Sequence, residues 1–144
     1  DAHSDDHNVA ITLAIEGRPG EVHTVVECVD YSAQELLRKA GCDAIVCTSR
    51  FDAHFLSNEL LNPGVQEVVD ELTTNLRGQQ IYITPIARSE GLAYEKVVEL
   101  GAKQGHIVIG ARAGGVMKLN PSDGPTLSSG DAVISIGTTR MNPL

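Results

Sequence analysis

Residues 22–48, VHTVVECVDYSAQELLRKAGCDAIVCT, decide the fold. Val22 to Val29 is a compact run rich in β-branched side chains, and Ala44 to Thr48 is a second one, so both read as buried strands. Between them, Ser32 and Glu35 have the spacing of a capping box ahead of Leu36 and Leu37, and Lys39-Ala40-Gly41 supplies a basic last turn and a glycine stop. Strand, helix and strand joined by short loops imply parallel strands with a right-handed crossover. That is the repeating element of a doubly wound sheet.

Upstream, the polar Ser4-Asp5-Asp6 reads as a helix cap. Val9, Ile11, Leu13 and Ile15 crowd together between Asn8 and Glu16, as in a well-buried helix that Gly17 and Pro19-Gly20 then stop. Residues 1–48 therefore read as part of a Rossmann-type lobe. Downstream, Phe51 to Leu61 and Val65 to Leu76 keep helical spacing on either side of the break at Asn62-Pro63-Gly64. This helix-turn-helix pair carries Phe55, Leu56, Leu60, Leu61, Val65, Val68, Val69 and Leu72, more apolar surface than a helix needs to lie on one sheet. Either it contacts another subunit or it forms a hairpin packed inside its own.

After Arg77-Gly78 the texture changes. Gln80 to Pro85 reads as a strand, Leu92 to Lys103 as a helix and His106 to Ala111 as another strand. Ala113-Gly114-Gly115 reads as a hairpin turn into Val116 to Leu119, residues 120–125 as a loop, and Ser129-Gly130-Asp131 as a turn into Ala132 to Gly137. The expected class is α/β: a partial Rossmann-type parallel sheet with a helix-turn-helix crossover over 1–78, followed by a small α+β subdomain over 79–144.

Composition narrows the function. With 19 acidic against 11 basic side chains and a formal charge of -8, a phosphate-backbone binder would have to work inside a repelling field, so nucleic acid is not expected as a partner. Two Phe, three Tyr and no Trp leave little for base stacking or a carbohydrate platform. No stretch approaches the about 20 consecutive apolar residues of a membrane span. Three cysteines, Cys28, Cys42 and Cys47, make an odd count without metal-knuckle spacing, which suits a reducing compartment. Cys28 and Cys47 sit in apolar runs and read as small buried hydrophobes without assigned chemistry.

Some absences matter as well. Neither GxGxxG nor GxxxxGK[ST] occurs, so the phosphate grip of a nucleotide-binding lobe is not in this sequence. The sequence starts where the later half of such a lobe would, and the first strands are expected to lie outside it. A half lobe leaves a sheet edge and an apolar face to be shielded by a second copy or by the rest of the same protein. Asp1, His3, Asp5, Asp6 and His7 form the densest polar cluster; carboxylates and imidazoles are ligands for a divalent cation, and equally are at home at a helix N-terminus. His23, His54 and His106 stand singly and read as structural. With no convergent acid, base or nucleophile, no catalytic residue is assigned and no enzyme is expected.

Taken in order, SDDHNVAITLAI, HTVVECVD, ELLRKAGCDAIVCTS, FDAHFLSNELLNPGVQEVVDEL, HIVIGARAGG, Asn120-Pro121 and TLSSGDAVISIG give a sequence that resembles the RCK family, the regulator of potassium conductance domains of bacterial channels and Trk-type transport subunits. The resemblance implies a cytosolic, membrane-tethered, ligand-sensing module that couples ligand binding to a potassium channel pore domain through rearrangement of a homo-oligomer. It implies that the helices carrying Phe55 to Leu72 cross to a neighbouring subunit. It also implies calcium or another divalent cation, NAD or ATP as ligands of the full-length protein. The matching ligand positions are Asp1 and Glu27 for calcium, with Val29 where a second carboxylate stands in some relatives, and Ser4 and Asp5 beside the nucleotide cleft. The alternatives are a peripheral subunit of a Trk-type transporter and a nucleotide-dependent oxidoreductase. The Gly130-Asp131 turn is explained by structure alone: glycine accommodates positive φ and the carboxylate accepts backbone amides.

Overall fold

The computed structural model describes residues 2–20, 22–75 and 77–144, with side chains from Ser4 onward. They fall into two compact units, Asp1–Val65 and Gln66–Leu144. The first contains α1 (Ala2–Glu16), β1 (Val25–Cys28), a single 3-10 turn (Tyr31–Ala33), α2 (Gln34–Lys39), β2 (Ala44–Cys47) and α3 (Thr48–Leu61). β1 and β2 pair in parallel, Val25 opposite Ala44 and Cys28 opposite Cys47, as the strand-helix-strand reading requires. Side chains alternate along a strand, so Val26, Cys28, Ile45 and Cys47 share one face and pack there with Val9 of α1 and Leu37 of α2.

The other face is open. Val25, Glu27 and Val46 are exposed, so the strands are covered on one side only rather than buried as the sequence reading expects. α1 departs from expectation for the same reason. Apolar residues on several sides need cover from more than one direction. The two-stranded sheet supplies one, leaving Ile11, Leu13 and Ile15 exposed.

α1 starts at Ala2, so Ser4, Asp5 and Asp6 lie inside its opening turns rather than at its cap. The capping box at Ser32 does not form, because Asp30 caps first: its carboxylate accepts the Ser32 amide at 2.9 Å and drives the chain into the 3-10 turn. Glu35, freed from that box, pairs with Lys39 at 2.8 Å. Gly41, at φ +100°, ends α2 as predicted. β1 spans fewer residues than the predicted run, and Thr48 opens α3 instead of closing β2.

α4 (Val65–Thr74) follows the break at residues 62–64, where Gly64 takes φ +97° and its amide is capped by Glu59 at 2.9 Å. Leu76, predicted to end this helix, lies outside the described residues. The second unit then lays out β3 (Gln80–Pro85), β4 (Leu92–Ala93), α5 (Tyr94–Lys103), β5 (Ile107–Ala113), β6 (Val116–Leu119), β7 (Thr126–Leu127) and β8 (Ala132–Gly137). Four strands form an antiparallel sheet in the order β3-β8-β5-β6. Leu92 and Ala93 correct the helix prediction: they pair with Thr126 and Leu127 as a small second ladder. Gly114 and Gly115, both at positive φ, make the predicted two-residue hairpin turn between β5 and β6. Gly110 must lack a side chain, since a Cβ there would strike the Lys118 carbonyl of β6. Ile86, Val97, Leu127, Val133 and Met141 form the core. His106 is buried beside it, 3.1 Å from the Ser135 hydroxyl and edge-on to Tyr82, the structural role expected of it.

Leu37 has no exposed surface and closes the core beneath β1 and β2. Leu37→Ala should cost about 2–5 kcal/mol, whereas Leu36→Ala, at a half-exposed neighbour, should cost well under half of that. Urea unfolding of the two variants checks the difference.

Candidate functional site

In open α/β sheets ligands bind outside the carboxyl ends of the strands. At that end of β1 the chain converges from three directions. Asp5, in the first turns of α1, is buried, and its two carboxylate oxygens accept the amides of Val29 at 2.9 Å and Asp30 at 2.8 Å. The Asn8 side-chain amide donates to the Glu27 carbonyl at 2.9 Å. From α3, the Ser49 hydroxyl donates to the Val29 carbonyl at 2.6 Å and the Thr48 hydroxyl to the Cys28 carbonyl at 3.4 Å. A depression of about 210 Å³ opens over this clasp, lined by Asp5, Asp6, Asp30 and Ser32 above the apolar floor of Val9, Ala33 and Leu36.

Of the residues the sequence singles out, Ser4 and Asp5 share the first turns of α1, Ser4 exposed and Asp5 buried. Asp1 and the side chain of His3 lie outside the described residues. Glu27 is exposed and points to the uncovered face of β1, opposite to Cys28; it meets α1 through its backbone carbonyl, not its carboxylate. Among the described residues no group of three or more His, Cys, Asp or Glu side chains is placed to hold a metal ion.

Two carboxylate clasps escaped the sequence reading in whole or in part. At the amino ends of the parallel pair, Asp43 accepts the Thr24 amide at 2.7 Å, and the Thr24 hydroxyl donates to Glu16 at 2.7 Å. His23 lies 3.4 Å from the same Asp43 oxygen. The Thr24 amide above all, with His23 and the Thr24 hydroxyl, holds the Asp43 carboxyl below its ordinary range. The available signal was positional: Thr24 and Asp43 immediately precede the two strands, and parallel pairing sets such residues side by side. In the second unit Asp131 accepts the amides of Ser128 and Gly114, each at 2.9 Å, and those bonds hold its carboxyl low as well. The Gly130-Asp131 turn is thus a backbone tie, with Gly130 at φ +95°, as the sequence suggested.

Known structures place the fold. No family model matches the chain, and no curated protein matches it in sequence. The human SLO3 gating ring matches over 96% of this chain and 30% of its own, at 17% identity and a TM-score of 0.73. The GsuK channel bound to NAD matches over 94% of this chain and 24% of its own, at 21% identity and a TM-score of 0.40. The GsuK RCK domain matches over 94% of this chain and 29% of its own, at 20% identity and a TM-score of 0.38. The chain spans about a quarter to a third of the length of these solved chains. Its fold is similar to that of a stretch of the human SLO3 gating ring. The class is α/β, as the sequence leads one to expect, with a parallel strand pair followed by antiparallel sheets.

Because Asp43 and Asp131 titrate lower in the folded chain than when unfolded, the stability they contribute is fully present above the unfolded carboxylate pKa of about 4 and is lost as pH falls through the depressed folded values. Asp131→Asn should therefore lower the melting temperature at neutral pH by several degrees and flatten its further fall in acid. Melting curves collected from pH 7 downward check both limbs.

Proposed function

We propose that this chain is a cytosolic, non-catalytic regulatory module of a potassium channel. In this reading a small ligand shifts the arrangement of lobes in a homo-oligomeric ring, and a linked pore domain follows. The observation that carries it is the apolar surface of the crossover helices. Leu56, Leu60 and Leu61 are 72%, 81% and 76% exposed, Val68 is exposed, and Phe55, Val65, Val69 and Leu72 are half-buried. Leucines left in water at this density are an interface awaiting its partner, and a second copy of the same helices is the complementary surface a two-fold assembly needs.

On this reading 1–78 acts as the lobe with its crossover helices and 79–144 as the second subdomain, although compactness alone divides the chain at Val65 and Gln66. The exposed edge of β1 and the bare face of Val25 and Val46 are covered in the assembled protein by another strand and another apolar surface. The ligand is a divalent cation such as calcium, or NAD or ATP. It is received at the carboxyl end of β1 by Ser4 and Asp5, with Asp1 and Glu27 as further contacts. A ligand can move such a switch only through unequal affinity for its two arrangements, typically about 1–3 kcal/mol per site. No helix among the described residues is long and apolar enough to cross a membrane, so the force must reach the pore through the rest of the assembly.

Sedimentation equilibrium tests the assembly. The wild type should be oligomeric at micromolar concentration. Leu60→Asp with Leu61→Asp should weaken the association by more than about a hundredfold while leaving the circular dichroism intact, since burying each leucine is worth about 1.5–3 kcal/mol. A wild type that stays monomeric removes the reading.

A further inference from the structure

We propose that Cys28 and Cys47 are a thiol pair that closes reversibly into a disulfide when a peroxide oxidises it, joining the carboxyl ends of β1 and β2 at the start of α3. The argument begins with register. Cys28 and Cys47 are direct partners and the last pair of the parallel ladder, so their side chains leave the sheet on the same face, within one apolar cluster. Neighbouring strands run about 4.7–4.9 Å apart, inside the about 4.4–6.8 Å Cα separation that disulfides span. As the last pair of the ladder they sit where the backbone can adjust to the turn of the new bond more freely than in mid-ladder. Cys42, the remaining thiol, is engaged elsewhere: it donates to the Leu37 carbonyl at 3.2 Å and has no cysteine opposite it.

The two partners are also chemically unequal in the way a thiol-disulfide pair requires. Cys47 occupies the N-cap position of α3, a 14-residue helix. The Arg50 amide above all, and then the Ser49 hydroxyl 3.6 Å away, favour its thiolate. Cys28 has no exposed surface, and burial pushes its thiol up to about 11. A thiolate at a helix N-terminus attacks first, and Cys28, kept protonated by its burial, resolves only as its proton passes to the departing hydroxyl.

Cys47 is nearly buried, with 8% of its surface exposed, so the oxidant is a small one, hydrogen peroxide. The Cys47 sulfur attacks one oxygen of hydrogen peroxide, the O–O bond breaks, and a sulfenic acid forms with release of water once the departing hydroxide takes a proton. The Cys28 sulfur then attacks the sulfenic sulfur. The S–S bond forms, the S–O bond breaks, and the Cys28 proton leaves with the hydroxyl as a second water. Two thiols and one peroxide thus give one disulfide and two waters. The bond ties β1 to the cap of α3, at the step where Ser49 already holds the Val29 carbonyl.

The test is to expose the intact protein to hydrogen peroxide, block the remaining thiols with an alkylating agent, digest it without reductant and map the peptides by mass spectrometry. The expected product is one cross-linked pair containing Cys28 and Cys47, lighter by two hydrogens than the reduced peptides, with Cys42 alkylated and the pair restored by dithiothreitol. Cys42→Ser should leave this result unchanged. Cys28→Ala should instead accumulate a sulfenic acid on Cys47, captured by dimedone, and Cys47→Ser should form neither product. A bond to Cys42, or Cys47 oxidised to the sulfinic acid in the wild type without cross-linking, would overturn the proposal. So would the absence of any cross-link at doses that leave the circular dichroism intact.

Discussion

At the carboxyl end of β1 the chain leaves the sheet, and the amides of Val29 and Asp30 lose any strand to pair with. Asp5 supplies acceptors to both, from a helix some two dozen residues upstream. The buried carboxylate of Asp5 thereby has both oxygens satisfied, and the two bonds tie the start of α1 to the loop after β1. From the other side, Ser49 and Thr48 take the carbonyls of Val29 and Cys28. Donors and acceptors at the end of one strand are therefore satisfied by two different helices, and the start of α3 is fixed to the strand by hydrogen bonds rather than by apolar packing. Movement of the start of α3 away from β1 would have to break or stretch those bonds.

The parallel pair was legible because its evidence is local: two β-branched runs, a helix-length gap and a glycine stop. The hairpin at Gly114-Gly115 and the strands on either side of it were legible for the same reason. What failed were the positions where two local signals compete. Ser32 has the better capping-box spacing, yet Asp30 stands earlier and needs only the amide two residues on, so the chain turns there first. Leu92 and Ala93 continue a helical pattern, but Thr126 and Leu127 offer them a ladder, and that partner is distant in sequence.

The candidate site was only partly visible. Ser4 and Asp5 were found as helix-start polar residues, while the two amides Asp5 serves belong to a loop whose approach depends on tertiary packing. The clasp of Asp43, Thr24 and Glu16 was missed outright. No spacing rule relates these three residues, and only the strand register, once known, places Thr24 beside Asp43.

The exposed apolar surface in the first unit has one physical logic. A two-stranded parallel sheet with helices on one face is too thin to satisfy a doubly wound pattern, which places cover on both sides and strands on both edges. Apolar residues that the sequence pattern would bury but that stand in water here include Ile11, Leu13 and Ile15 on α1 and Val25 and Val46 on the bare face of the sheet. Cys28 and Cys47, by contrast, lie on the finished side, sealed by Leu37 and Val9. A contact between two strands that depends on a constant distance is best placed on the side that its own unit has closed. The end of the β1–β2 ladder, where the thiols face each other and α3 begins, satisfies that requirement within this unit.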